Sequence, residues 1–578
     1  MNNNETKKPS SSFGNIFENN NTYCKYVKKN IVPVSNFIIN PLYVVEGENE
    51  SEITSQIICK DGSVFERTFN LNTFSDIASF RKSLNNLKLC FAGNIEQLQY
   101  IKSIISSKPY KHIKGVQAVG FHKIDGVELF ITGDATVDKN MNLYEKAAMI
   151  RGYEELTTDI LRYTEISKDE LESIAKSLFN FNTLNITSTI MGYIGNTFLK
   201  GKFCGNNIKY NHLIIEGQSG SGKSETLENI IMPILSISKN PMNASECTPF
   251  ALNRSASSSN FVPLILDEYK PSKMGANKLS AISNIMRNSY DKHTTIKGVS
   301  TLKKNKEFKV QASLIISGEG GITETANIER SLRVIFSTSF HSEKREKHIK
   351  HLKKNKVLLN KLGKSLLSLG MKMDSQQLME VYNKIENSIC ADVIKNSRIK
   401  NSVVNAFLGI VLIKALFKTL DLDFEKSVGH TIKEIKNAII DNARSDLLDD
   451  SCGSKGVIDY TLETINRMAI NGIINKEHDY AVVKDKNKNT ILKLNYISFY
   501  DRFLKYCREH CIEHEVLPLS SFKKQLSKME YCMSFNKPLS FKTFSGYINE
   551  YKTFRCAVLD VNLLKNINID LDYILNIN

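Results

Sequence analysis

The sequence predicts a mixed α/β chain built round a mostly parallel, three-layer sheet, and three observations predict it. Short apolar runs at 212–216, 262–267, 312–317 and 332–336 alternate with helix-like stretches, the pattern of strands buried by crossover helices. The first run passes through GQSGSGKS into a helix-like segment, which is the strand–loop–helix context of a phosphate-binding loop. The second run ends in the acidic pair of LILDEYK.

Composition sets the outer limits. The 578 residues allow roughly three to five domains. A net charge of +16 favours an anionic partner, nucleic acid being the usual one. No apolar run approaches the roughly 20 residues that span a bilayer, and 406–416 contains a lysine and reads as a buried helix. The opening MNNNETKKPSSS has no apolar h-region, so the expectation is a cytoplasmic protein with no membrane partner. The eleven cysteines include no CxxC pair and read as reduced thiols. Cys507, His510, Cys511 and His514 have a spacing that zinc could use. Structural zinc ligands usually come from two separated elements, so the plainer reading is a helix with the apolar stripe Phe499, Phe503, Tyr506 and Cys507.

Taken in order, residues 1–30 are polar and Asn- and Ser-rich and read as a disordered tail. An N-terminal α+β domain follows over 31–165. Its strands are NFIINPLYVVEGE, SEITSQIICKDG and SVFERTFNL, with Asp61-Gly62 turning the last pair. Helices are expected near 74–85 and 94–106, and a second hairpin turns at Asp125-Gly126, Asp-Gly being a strong hairpin signal. One helix over 169–199 leads into the P-loop core, 166–341, and a helical lid region, 342–450, comes next. The last domain, 451–578, reads as helix, turn, helix and strands, with Ser520 or Ser521 capping the second helix.

The chemistry concentrates at Gly217, Gln218, Ser219, Gly220, Ser221, Gly222, Lys223 and Ser224. Small residues let backbone N–H groups converge on phosphates, and the helix N-terminus adds partial positive charge. Lys223, which opens the helix, is expected to reach the β- and γ-phosphates of ATP and Ser224 to ligate Mg2+, and Glu225 is counted with them among the nucleotide-binding residues. Asp267 suits the Mg2+ shell, and Glu268 suits polarisation of the attacking water. Ser317 ends the third strand, where motor ATPases place a polar residue that orients that water; Asn or Thr is usual, so serine departs from the pattern. Arg330 and Arg333 precede or enter the next strand. Either reaches a neighbouring subunit as an arginine finger, or both make local salt bridges. Arg398 is a lid arginine that senses nucleotide or an ordinary surface residue.

The order GQSGSGKS, LILDE, LIISGEGG, IERSLR resembles an AAA+ (ASCE) motor. With the GFHKIDGVELFITG hairpin and the NTLNITSTIMGYIGNTFLKG helix, it is similar to the domain-of-unknown-function family of helicases in staphylococcal cassette chromosomes and pathogenicity islands, which are MCM-like. The resemblance covers roughly residues 35–420. It implies an AAA+ core, a homo-hexameric ring, ATP between subunits and DNA in the channel. It also directs attention to KHTTIKGVSTLKKNKEFKV, where such motors carry a channel hairpin. Lys297, Lys303, Lys304 and Lys306 would there neutralise phosphates without reading sequence, unless the segment is only a solvated basic loop.

The C-terminal segment looks like a winged helix, whose second helix would present Lys523, Lys524, Gln525 and Lys528 to DNA or serve as a protein-docking module. The expected function is an ATP-dependent DNA helicase acting in replication of a mobile element or plasmid. Candidate further partners are an initiator, a primase or a single-strand-binding protein. The rivals are a double-strand DNA translocase and an ATP-switched initiator, and a good catalytic base at Glu268 argues against the switch.

Overall fold

A computed structural model of the chain describes residues 11–576, apart from 298–305, 390–393, 449–456, 485–489, 511–515, 567–570 and some single or paired positions. The chain forms two units, Met1–Gly321 with Arg330–Ile440, and Ile322–Glu329 with Asp441–Asn578.

The first unit begins with a correction. Residues 11–33, mostly assigned by composition to a disordered tail, form a four-stranded antiparallel sheet of Ser12–Phe13, Ile16–Asn19, Thr22–Val27 and Asn30–Pro33. Two features hidden in the polar average account for it. Asn20 and Asn21 both take positive φ, 47° and 56°, the conformation that a two-residue hairpin turn requires and that asparagine tolerates. Ile16 and Tyr23 are fully buried, in one core with Val34, Phe37 and Phe69. Residues 1–10 lie outside the described residues.

Phe37–Glu46, Ser51–Cys59 and Val64–Asn70 are the three expected strands, in a five-stranded sheet completed by Lys111–Val116 and Ala147–Met149. Helices Ile77–Leu84 and Ile95–Ser107 contribute Phe80, Leu98 and Ile101 to its core. The second hairpin, Gly120–Ile124 with Val127–Ile131, turns at Asp125-Gly126, both at positive φ.

The helix expected over 169–199 is two helices, Lys168–Leu178 and Leu184–Thr197. Asn180 and Asn182 interrupt it, because their side chains hydrogen-bond locally and favour turns and caps over helix interiors. Asn180 Nδ2 donates to the Lys176 and Val428 carbonyls, and Thr183 is the N-cap of the second helix.

The core sheet contains β1 (His212–Gly217), β2 (Met242–Asn243), β3 (Leu264–Tyr269), β4 (Leu314–Gly318) and β5 (Ser331–Phe336). All pairings are parallel and the order is β2-β3-β4-β1-β5. The loop-bearing β1 therefore neighbours β4, and β4 separates it from the acidic β3.

The described residues of 343–448 are mostly helical. Ser397–Thr419 is long and apolar enough to cross a bilayer, but 67% of its most apolar window is buried inside the protein. It packs on Leu184–Thr197 at such close range that a Cβ on Gly409 would lie 1.9 Å from the Gly192 carbonyl oxygen.

The second unit runs helix Val457–Ile470, strands Tyr480–Lys484 and Thr490–Leu494, helices Tyr496–Glu509 and Leu519–Leu526, then a long hairpin, Cys532–Ser545 with Ile548–Asp560. Its core gathers Tyr496, Phe499, Tyr500, Phe503 and Phe522. Ser520 and Ser521 lie inside the first turn of their helix and do not cap it, because the helix begins at Leu519. Cys507 is buried in that core and His510 stacks on Tyr506; Cys511 and His514 lie outside the described residues.

Candidate active site

The loop that follows β1 is shaped by close approach and by left-handed backbone. Gly217 has φ 149°, and a Cβ there would sit 2.2 Å from the Phe336 carbonyl oxygen, so only glycine lets β1 turn away beside β5. Gly220 and Gly222 also take positive φ, and Gly222 caps the helix that starts at Lys223. The first turn of that helix faces the loop, which is the arrangement for anion binding. The helix passes through a π-helical stretch, Leu227–Ile231, of a kind frequently found at functional sites.

Lys223 Nζ donates to the carbonyls of Gly217 and Gln218 at 2.7 Å each, and to Ser221 Oγ at 3.5 Å. Burial pushes its ammonium pKa down, while Glu319 and Asp267 pull it up. Ser219 lies within the loop, and Gln218 Oε1 accepts from Thr338 at 3.3 Å. Glu225 faces Lys353 at 3.5 Å.

Ser224 Oγ donates to Asp267 Oδ2 at 3.3 Å. This joins the loop helix to the end of β3, although β3 is not the strand beside β1. The pairing of β3 with β4 slips between Leu266–Ile316 and Tyr269–Gly318, so Asp267 and Glu268 together oppose Ser317. Such a bulge re-aims side chains and is common beside active sites. Glu268 takes φ 52°, a left-handed conformation rare for a non-glycine residue, and its N–H donates to Asp267 Oδ1 at 2.9 Å. Its carboxylate is exposed, and Asp267 is half-buried. Ser317 is fully buried, and its Oγ has no hydrogen-bond partner among the described residues.

The two arginines make ion pairs within the chain. Arg333 donates through Nε and Nη2 to Glu216 Oε2 at 2.8 and 2.6 Å, with both side chains at or below 10% exposure. Arg330 donates to Asp291 Oδ2 at 3.0 Å and lies over the Tyr290 ring. Each is 8% exposed and held by a partner in its own chain, the local salt-bridge alternative of the two. Arg398 is exposed at the start of its helix, near Tyr290, and no described contact brings it to the loop.

Sequence reasoning missed two charged residues of the site. Glu319 follows β4 and faces Lys270, which follows β3, at 3.7 Å, and Glu319 is close enough to act on Lys223. Their signal was position alone: each lies just beyond the C-terminal end of a core strand, where α/β sheets place ligand-binding residues.

The expected channel hairpin is a two-stranded ribbon, Thr294–Lys297 with Lys306–Lys309, in which Lys297 pairs with Lys306. The side chains of both, and all of Lys303 and Lys304, lie outside the described residues. Lys523 sits over the ring of Tyr496 at 5.4 Å. Lys524 and Gln525 are on the same helix, but their side chains, and Lys528, lie outside the described residues.

No family model and no curated protein matches the chain. Among solved structures it is similar to the SCCmec type IV Cch active helicase, at 13% identity and a TM-score of 0.60, covering 96% of this chain and 99% of that one. The C-terminal region of NrS-1 also matches, over 70% of this chain and 91% of that one, at 11% identity and a TM-score of only 0.27. The first likeness shows a shared mixed α/β fold over nearly the whole length.

Proposed function

We propose that this chain is an ATP-dependent DNA helicase of the replicative, mobile-element or plasmid type. One observation carries the reading: Ser224 and Asp267 meet at 3.3 Å beside a bulge that sets Glu268 against Ser317. A phosphate loop alone holds phosphates. A loop joined to a strand-end Asp-Glu pair has the groups of a hydrolase.

The strand order β2-β3-β4-β1-β5, with a strand inserted between the loop strand and the acidic strand, supports an AAA+ core. The loop N–H groups and Lys223 would hold the phosphates of ATP, and Ser224 with Asp267 would hold Mg2+. The bound metal nucleotide supplies the scissile phosphoryl group and neutralises its charge. Glu268 accepts the proton of the attacking water, and Ser317 Oγ, buried and unpartnered among the described residues, helps orient it. The basic charge of the chain and the hairpin carrying Lys297 and Lys306 support DNA as the object of the motor. The two adjacent helices Tyr496–Glu509 and Leu519–Leu526, followed by the long hairpin of the second unit, support a winged helix there. On this reading the protein is cytoplasmic and works as a homo-hexamer.

The test is strand displacement on forked duplexes with 3′ or 5′ tails, with ATP and without, using the native chain and Lys223→Ala. Displacement that requires ATP and Lys223 supports the helicase. ATP hydrolysis stimulated by duplex DNA without displacement favours a translocase, and full unwinding by Lys223→Ala refutes the motor.

A further inference from the structure

We infer that the N-terminal sheet, residues 12–33, carries a second nucleic-acid site that takes single-stranded segments by stacking bases on Tyr26. Tyr26 is 59% exposed and stacked on Phe17, with ring centroids 4.6 Å apart and planes inclined by 26°. Phe17 is buried at 6% exposure, so it fixes the tyrosine from beneath while much of the ring meets solvent. Strand register puts neighbours on the same face: Phe17 pairs with Cys24, Cys24 with Pro33, and Tyr26 with Ile31. That face continues into a cleft of about 400 Å³ lined by Asn19, Asn20, Thr22, Cys24, Pro33 and Lys60.

The chemistry of this surface selects its occupant. An exposed large aromatic ring offers a stacking platform, and cations beside it bind a sugar–phosphate backbone. Lys28 and Lys29 follow Tyr26 at the end of its strand, and Lys60 lines the cleft. No ion pair occupies any of these three among the described residues. The side-chain amides of Asn19 and Asn20 likewise have no partner among the described residues and present both donors and acceptors to a base edge. A cleft of this volume is at the small end of ligand pockets and suits one base. Duplex DNA keeps its bases stacked on each other and out of reach, so the surface is specific for single strands. The inference goes beyond the proposed motor, because it assigns a strand-holding surface that needs no nucleotide hydrolysis.

The chain has no tryptophan, so Tyr26→Trp installs a single reporter at an exposed position. Adding an oligothymidylate to the full-length variant without ATP is expected to quench its emission saturably. Salt is expected to reverse the quenching, and duplex of the same length to leave it unchanged. Labelled-oligonucleotide anisotropy should show Tyr26→Ala weakening single-strand binding roughly tenfold, and Lys60→Glu weakening it further at low salt. Two outcomes overturn the site. One is unchanged emission while anisotropy shows the oligonucleotide bound, which puts the strand elsewhere. The other is quenching that follows protein concentration without DNA, which makes the face a contact between copies of the chain. Strand displacement by the native chain tests the helicase reading separately.

Discussion

Ser224 Oγ lies 3.3 Å from Asp267 Oδ2, so a hydroxyl at the start of the loop helix already donates to a carboxylate two strands away. Each group would be one protein contribution to a Mg2+ shell. Ser224→Ala and Asp267→Asn are therefore expected to lower ATP turnover by on the order of 100-fold, the scale seen when one preorganised polar group is deleted from an active site. Titrating Mg2+ should show a raised requirement in both variants. Equal Mg2+ dependence in variant and native protein would remove the pair from the metal site.

Glu268 holds a strained backbone, φ 52°, at the residue assigned to water activation. Strain of this kind gathers at active sites when the surrounding structure over-determines it. Glu268→Gly and Glu268→Ala should both abolish hydrolysis while retaining ATP binding. Glycine should be the more stable of the two by roughly 1 kcal/mol, because a left-handed Cβ costs about that much. Denaturant midpoints of the two variants measure the difference, and identical midpoints would show that the loop relaxes without it.

Arg333 and Glu216 form a buried pair between β5 and β1. Removing one partner leaves an uncompensated charge, with a loss of roughly 3–5 kcal/mol. Arg333→Ala should accordingly unfold at much lower denaturant, and Glu216→Ala combined with it should cost far less than the sum of the two. An arginine finger would behave differently, keeping native stability and recovering activity when mixed with subunits defective in Glu268. That recovery would restore the trans role.

These outcomes trace how far the sequence could be read. The strand–loop–helix form of 212–226 was legible because its pattern is local: eight adjacent residues, three of them glycine, between an apolar strand and a helix. The acidic pair was legible for the same reason, but the bulge that aims it depends on the register between β3 and β4, which no local pattern encodes. Arg333 looked available for a neighbour because it stands near a strand start. Its pairing became visible only once β1 and β5 were adjacent, setting Arg333 opposite Ile214 and near Glu216. The polar average of residues 11–30 hid an Asn-Asn turn and two buried residues, Ile16 and Tyr23, that outweigh it.

His212 supplies a pH test of the core. It is fully buried in β1. Its Nε2 donates to the Met286 carbonyl at 2.9 Å and its Nδ1 accepts the Leu314 N–H at 3.0 Å. The neutral ring satisfies both bonds, and burial pushes its pKa down to about 4 from an ordinary 6.5. Because the folded value lies below the unfolded one, between those values the unfolded chain binds a proton that the native chain refuses. The stability this group confers is complete above pH 6.5 and is lost as pH falls to about 4. By linkage the loss amounts to about 3 kcal/mol. His122, His348 and His430 are also shifted down, so the native slope alone does not isolate His212. His212→Leu should be less stable at neutral pH, since it orphans a carbonyl and an N–H. The gap between it and the native protein should shrink as pH falls from 6.5 to about 4. A gap that stays constant across that window would mean His212 is protonated in the folded chain.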